Sequence, residues 1–316
     1  MIVIVDVMSK TYLEYYLENL DYSNIPKYLI KYLKTPSLER LKKVGYFCGM
    51  DYASKKIYNF REYISRYDHS LTCSLLTYKL TKNKTYSVAA LFHDIATPSF
   101  SHVIDYMNGD YELQESTEEY TENILKNDLY LLDCLKEDNI NIEDIINFKN
   151  YSIVDNDRPK VCADRIDGVI LTSIGWTKNI TKNDITNILN DIVIYQNEDN
   201  EEEIGFKTLE IAHKVLEISK SIDIYCHSKE DNYMMQLLAK ITAYAIEKKY
   251  ISYDSLYTYG EEQIFKIFKN TNDSYLHKLI CEFQNIELTE IPETSLPNVK
   301  IRKLNPIVNN KRCKGE

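Results

Sequence analysis

The stretch LFHDIATPSFSH, residues 91–102, sets His93 and Asp94 side by side at the end of an apolar run, with His102 close behind. Neighbouring residues on a helix point about 100° apart. His93 and Asp94 can therefore reach one ion only if it sits in the angle between them, and other elements must complete its shell. Two segments offer partners. SRYDHSL, residues 65–71, opens a helix carrying His69, and VCADRIDGVI, residues 161–170, places Asp164 in an otherwise apolar helix. His69, His93, Asp94 and Asp164 together make a set of two imidazoles and two carboxylates. Such a set suits one divalent ion, Mn²⁺, Fe²⁺, Zn²⁺ or Mg²⁺. Four protein ligands on a six-coordinate ion leave positions for water and a phosphoryl oxygen. The expected chemistry is then attack of an acidified water on phosphorus.

These residues need helices to hold them. Periodic apolar spacing predicts helices over residues 66–82 and 84–95, and a restart after Thr97-Pro98-Ser99 at about 100–107. Thr35-Pro36-Ser37 reads as a helix start with Thr35 as cap and Pro36 in the first turn. Helical patterns also run over 115–137, 160–175, 206–220, 230–249, 253–258, 260–270 and 273–284. Glu115, Glu118 and Glu122 share a face of the 115–137 segment. Residues 1–10 read as a short strand or extended arm, NEDNEEE at 197–203 as a solvated loop, and the pattern fades after Glu287. With 8 Gly and 7 Pro in 316 residues, a turn-rich all-β fold is disfavoured. The expected fold is all-α: a core over residues 1–180 with an N-terminal arm, a helical extension over 181–287 packed on it, and a tail over 288–316.

The formal net charge is −10, and no basic stripe interleaved with aromatics is present. General nucleic-acid binding, which needs clustered Lys and Arg to neutralise phosphates, is not expected. A small phosphorylated ligand held by a few local cations remains compatible. The seven cysteines form no CxxC pair, which fits a reduced, cytoplasmic protein. The opening MIVIVDV is too short for a signal peptide or a membrane span, and no membrane partner is expected.

The order His69, His93-Asp94, Asp164 resembles the ligand order of the HD superfamily of metal-dependent phosphohydrolases. Within it, the chain is most similar to deoxynucleoside triphosphate triphosphohydrolases, over roughly residues 30–285. TPSLERLKKV resembles the family's TP-x-FQRLr helix, SRYDHSL its nRFeHSlG, LFHDIATPSFSHVID its lHDlGHgPFSHmfD, and ADRIDG its vDkwDY. The resemblance implies an HD-domain helical bundle. It puts Arg66 and Arg165 where the family places phosphate-binding cations, and His102 and Asp105 near the reacting phosphate. Asp105, three residues on, could orient His102, which could act as general acid. Tyr225 and His227 fall in the family's substrate-side helix. Similar proteins often form homo-oligomers, though no residue here fixes a stoichiometry.

Several departures bear on substrate. Thr97 and Leu113 stand where the family has two histidines tied to triphosphate hydrolysis. Glu115 and Glu118 lie nearby as alternative carboxylates. The family's sugar-stacking tyrosine matches Gly168, the aspartate a turn later Thr172, and the glutamine that reads the 3′-hydroxyl Tyr46. Losing buried hydrogen-bonding groups changes what a site accepts by orders of magnitude. The expected function is hydrolysis of a phosphorylated small molecule, a nucleotide first. The alternatives are a nucleotidase or phosphodiesterase, or a nucleotide-binding or sensing protein with reduced catalysis.

Overall fold

The computed structural model describes residues 10–293 and 299–313, so the expected arm at 1–9 lies outside them. Helices dominate, as the periodicity requires. The Arg66–Thr81 helix packs on the Lys84–Phe92 helix, and the Ala163–Thr172 helix lies against the former. Their shared faces are apolar and buried: Leu71, Leu75, Leu76, Val88, Leu91, Ile166 and Ile170. The Leu209–Cys226 and Lys229–Glu247 helices follow, the latter crossing the His102–Asn108 helix. None of the described helices is long and apolar enough to cross a membrane.

Local sequence sets the ends of the elements that matter. Ser65 and Asp68 form a reciprocal capping box that fixes the start of the Arg66–Thr81 helix. Thr35 does precede a helix, Pro36–Arg40, but its hydroxyl turns back to the Tyr32 carbonyl at 2.8 Å instead of capping. Asp128 accepts from the Ser37 backbone N–H at 3.0 Å. The same aspartate also caps the Leu129–Asp138 helix. That double duty breaks the expected 115–137 helix into Glu118–Tyr120, Thr121–Asn127 and Leu129–Asp138.

Four short strands accompany the helices. β1 (Ile192–Gln196) and β2 (Glu202–Phe206) form an antiparallel hairpin whose connection holds the polar residues 197–201. β3 (Ile307–Val308) adds to β2 in parallel, and β4 (Lys311–Arg312) pairs back on β3. Residues 299–313, expected as part of a fading tail, thus return across the molecule as a strap. Arg312 ties the strap down through the fully buried Glu203, at 2.6 Å and 2.7 Å. No disulfide links the cysteines.

Candidate metal centre

Three helical elements deliver the proposed ligands. His69 sits one turn into the capped helix, with its Nδ1 2.7 Å from Asp167 Oδ2. Asp167 is fully buried and also accepts from Tyr16 at 2.6 Å and Thr72 at 2.9 Å. Nδ1 must therefore carry the proton, which leaves Nε2 as the free donor atom. His93 ends the Lys84–Phe92 helix and gives its Nδ1 proton to the Ala90 carbonyl at 2.8 Å. Its Nε2 is buried with no hydrogen-bond partner among the described residues.

Both free nitrogens converge on carboxylates. His69 Nε2 lies 3.1 Å from Asp164 Oδ1 and 3.7 Å from Asp94 Oδ2. His93 Nε2 lies 3.5 Å from Asp164 Oδ1 and 3.8 Å from Asp94 Oδ1. Ligands about 2.1 Å from an octahedral ion stand roughly 3 Å apart when adjacent and roughly 4.2 Å apart when opposite. The observed separations fall in that interval, and the orphaned Nε2 of His93 needs a partner. The donor set fits a divalent ion.

The charges respond to this crowding. Burial favours a neutral His69, but hydrogen bonds with Asp164 and Asp167 outweigh it and push the ring up to about 10. Burial would raise Asp94, but His93, Arg66 and His69 hold it down at about 2. A cation binding here competes with protons for the imidazoles.

The centre opens into a cavity of about 690 Å³. Arg66, buried, donates to Asp94 at 2.8 Å and to Ser101 at 3.2 Å, and its guanidinium lies over the Tyr46 ring. Tyr46 reaches the cavity because its backbone pairs with residue 64, with its N–H 2.9 Å from the Ile64 carbonyl. A Cβ on Gly168 would stand 3.2 Å from the Tyr46 hydroxyl. The phenol thus fills space in front of the helix where the similar family carries its own tyrosine. His102 lines the cavity with Nδ1 2.9 Å from Asp105, and Asp105, buried, also accepts from Ser116 at 2.6 Å. Burial lowers the His102 pKa despite Asp105.

Other expected residues lie differently. Arg165 lines the cavity, with its guanidinium held toward the loop before its own helix by Asn156, by the Lys160 carbonyl at 2.9 Å and by Asp155 at 3.3 Å. Tyr225 is exposed against Trp176, and His227 bonds the Asp223 carbonyl at 2.7 Å. Neither is among the cavity-lining residues, whereas Cys226 and Asp231 are. Thr97 lines the cavity, while Leu113 is exposed. Glu115 and Glu118 reach the cavity rim, where Lys149 lies 2.8 Å from Glu118 and 3.9 Å from Glu115.

Sequence reasoning missed Arg158, Lys300 and Arg302, which also line the cavity. One signal was available for the last two. In VKIRKL, residues 299–304, Ile301 and Lys303 are exposed while Lys300, Arg302 and Leu304 turn inward. That is the alternation of an extended segment, with charge on the inner face.

Residues 66–170 match the family model described as "HD domain". This stretch of the chain is thus an HD domain. A stretch of 139 residues, 43% of this chain and 40% of the relative, is 27% identical to the uncharacterized protein YdhJ of Bacillus subtilis (strain 168). The match thus spans less than half of that relative's length. Two solved structures share the fold over 82% of this chain. One is a hypothetical protein from Aquifex aeolicus (TM-score 0.57, 14% identity, 71% of that chain). The other is a phosphohydrolase from Bacteroides thetaiotaomicron (TM-score 0.52, 18% identity, 74% of that chain).

Proposed function

We propose that this protein is a metal-dependent phosphohydrolase acting on a phosphorylated small molecule, with a nucleotide as the first candidate. The observation that carries the reading is the convergence of His69 Nε2, His93 Nε2, Asp94 and Asp164 on one wall of a large cavity also lined by several Arg and Lys. The cavity volume of about 690 Å³ suits a ligand of nucleotide size. The HD domain and a phosphohydrolase among the structural neighbours support the reaction class.

A divalent ion bound to the four ligands would supply Lewis acidity and an acidified water. The chain's own residues do the rest. Asp167 and the Ala90 carbonyl hold the imidazoles in the tautomer that frees Nε2. Arg66 places positive charge beside Asp94 and faces the cavity, where it can neutralise phosphate oxygens. His102, oriented by Asp105, is our candidate for proton transfer at the phosphate.

A second reading, nucleotide binding without turnover, draws on Thr97 and on the exposed Leu113 at the two family histidine positions. One experiment separates the two. Mn²⁺-loaded protein is assayed for phosphate and polyphosphate release across nucleoside mono-, di- and triphosphates and cyclic nucleotides, beside Asp94→Ala. Release by the native chain, lost in the variant, is the expected result. Metal at one per chain with no release from any nucleotide favours the binding reading.

A further inference from the structure

Seven Arg and Lys side chains and eight carboxylates line the cavity, but not every cation stands at ion-pair distance from a carboxylate. Arg66 is paired with Asp94 at 2.8 Å, Lys149 with Glu118 at 2.8 Å and Arg165 with Asp155 at 3.3 Å. Lys160 is paired with Asp199 at 2.6 Å and Glu201 at 3.0 Å. Arg158, Lys300 and Arg302 have no ion pair among the described residues. Lys300 gives its ammonium only to the Leu113 carbonyl, at 2.6 Å. Arg302 gives its guanidinium to neutral acceptors, Gln114 Oε1 at 2.9 Å and the Lys300 carbonyl at 3.1 Å. The Arg158 side chain makes no hydrogen bond among the described residues. Burial lowers the affinity of Lys300 for its proton; Glu115 works against this, while Arg158 and Arg302 lower it further. Arg158 is held below its ordinary value by burial, then by Arg165 and Arg302.

The arrangement is built, not incidental. The strap is clamped by Lys300 N–H to the Tyr111 carbonyl at 3.1 Å and by Arg302 N–H to Asp223 at 2.8 Å. Ser219 holds the Arg302 carbonyl at 3.3 Å, and Asn305 N–H meets the carbonyl of Pro159, the neighbour of Arg158, at 2.9 Å. These anchors fix the inward face of residues 300–304. Half-buried like charges with no counter-charge at contact distance cost free energy that a bound anion relieves.

We propose that Arg158, Lys300 and Arg302 form an anion subsite beside the metal centre, which grips a second phosphate group and selects oligophosphates over monophosphates. As a statement about substrate this rests on the phosphohydrolase reading; as a statement about anion binding it does not. The subsite makes the strap part of the binding wall. The metal end receives the phosphoryl group to be cleaved, and the strap receives the charge that the metal end cannot hold.

The test is calorimetric titration of the full, metal-free chain with inorganic tripolyphosphate and with orthophosphate at low salt. Tripolyphosphate is expected to bind at least about tenfold tighter, because two or more charge-assisted contacts replace one. Arg158→Gln and Lys300→Gln should each weaken tripolyphosphate by roughly fivefold to tenfold, the worth of one such contact. Lys207→Gln, an exposed cation whose ammonium meets only the Asn190 carbonyl, should change nothing. Neither Arg158 nor Lys300 makes a side-chain bond beyond the one to Leu113, so both variants should fold, which circular dichroism checks. Unchanged tripolyphosphate binding in both variants, or equal affinity for the two anions, overturns the subsite. If the variants lose binding while no nucleotide is hydrolysed, the hydrolase reading fails and the subsite stands.

Discussion

Asp167 and His69 are joined at 2.7 Å through His69 Nδ1, and that bond decides which nitrogen of His69 faces Asp164. Asp167 touches no other proposed ligand, so its influence on the metal centre runs through ring orientation. Asp167→Asn should keep all four ligands yet weaken metal binding by roughly 10–100-fold, the range for lost orienting carboxylates. Chelator competition against Mn²⁺ or Zn²⁺ measures this. An unchanged dissociation constant would show that the packing around His69, not this bond, holds the ring.

Arg66 and Asp94 form the second relationship that reaches beyond ligation. Arg66 is buried and Asp94 is its ion-pair partner, so Asp94→Ala strands a guanidinium in the protein. The metal-free variant should lose about 3 kcal/mol of stability, the lower end for breaking a buried pair. Arg66→Ala with Asp94→Ala should cost less than the sum of the single changes. Urea unfolding of the four proteins closes the cycle, and strict additivity would mean the pair is not coupled.

Tyr46 and Gly168 occupy one space between them. Gly168→Tyr should destabilise by about 1–3 kcal/mol, because the new side chain starts 3.2 Å from the Tyr46 hydroxyl. Adding Tyr46→Gln should recover most of that loss, since it clears the phenol. The double variant also carries the deoxynucleotide-recognising residue types of the similar family at these two positions. Thermal midpoints of the three variants are the readout. A double variant no more stable than Gly168→Tyr would place the clash elsewhere.

Behind the site, Asp51 Oδ2 and Glu261 Oε2 lie 2.8 Å and 2.9 Å from where a Cβ on Gly45 would stand, and both oxygens are buried without hydrogen-bond partners among the described residues. Burial pushes Glu261 up to about 8, helped by Asp51, and burial pushes Asp51 up to about 6. Folded-state values above the unfolded ones mean that the native state binds protons more tightly. The stabilisation is complete below the unfolded carboxyl range and is lost as pH rises through the folded values. Denaturation midpoints should therefore fall between about pH 5 and pH 8. Glu261→Gln should flatten that slope. A slope identical in the variant would assign it to other groups.

Much of the metal centre was legible because ligand chemistry leaves dense local signals. His69 follows a Ser-x-x-Asp cap, His93-Asp94 ends an apolar run, and Asp164 interrupts one. The structure gathers the donor atoms of His69, His93 and Asp94 within 4.8 Å of one another. The helices around them follow from periodicity for the same reason. Side-chain direction was less legible. Arg165 lines the cavity, yet Asn156 and Asp155 on the same wall take up its guanidinium. The hairpin at 192–206 escaped notice because two five-residue strands show too little alternation to outweigh the helical pattern around them. Lys300 and Arg302 escaped because their partners are remote in sequence and Pro-containing segments carry no helical period.

That remoteness sets an order in time. The His69–Asp167 contact closes a separation of 98 residues, whereas Lys300 to Leu113 and Arg302 to Gln114 close 187 and 188. Longer closures form later when a chain searches its contacts. On refolding, the contacts around His69 are therefore expected to close before those that dock the strap.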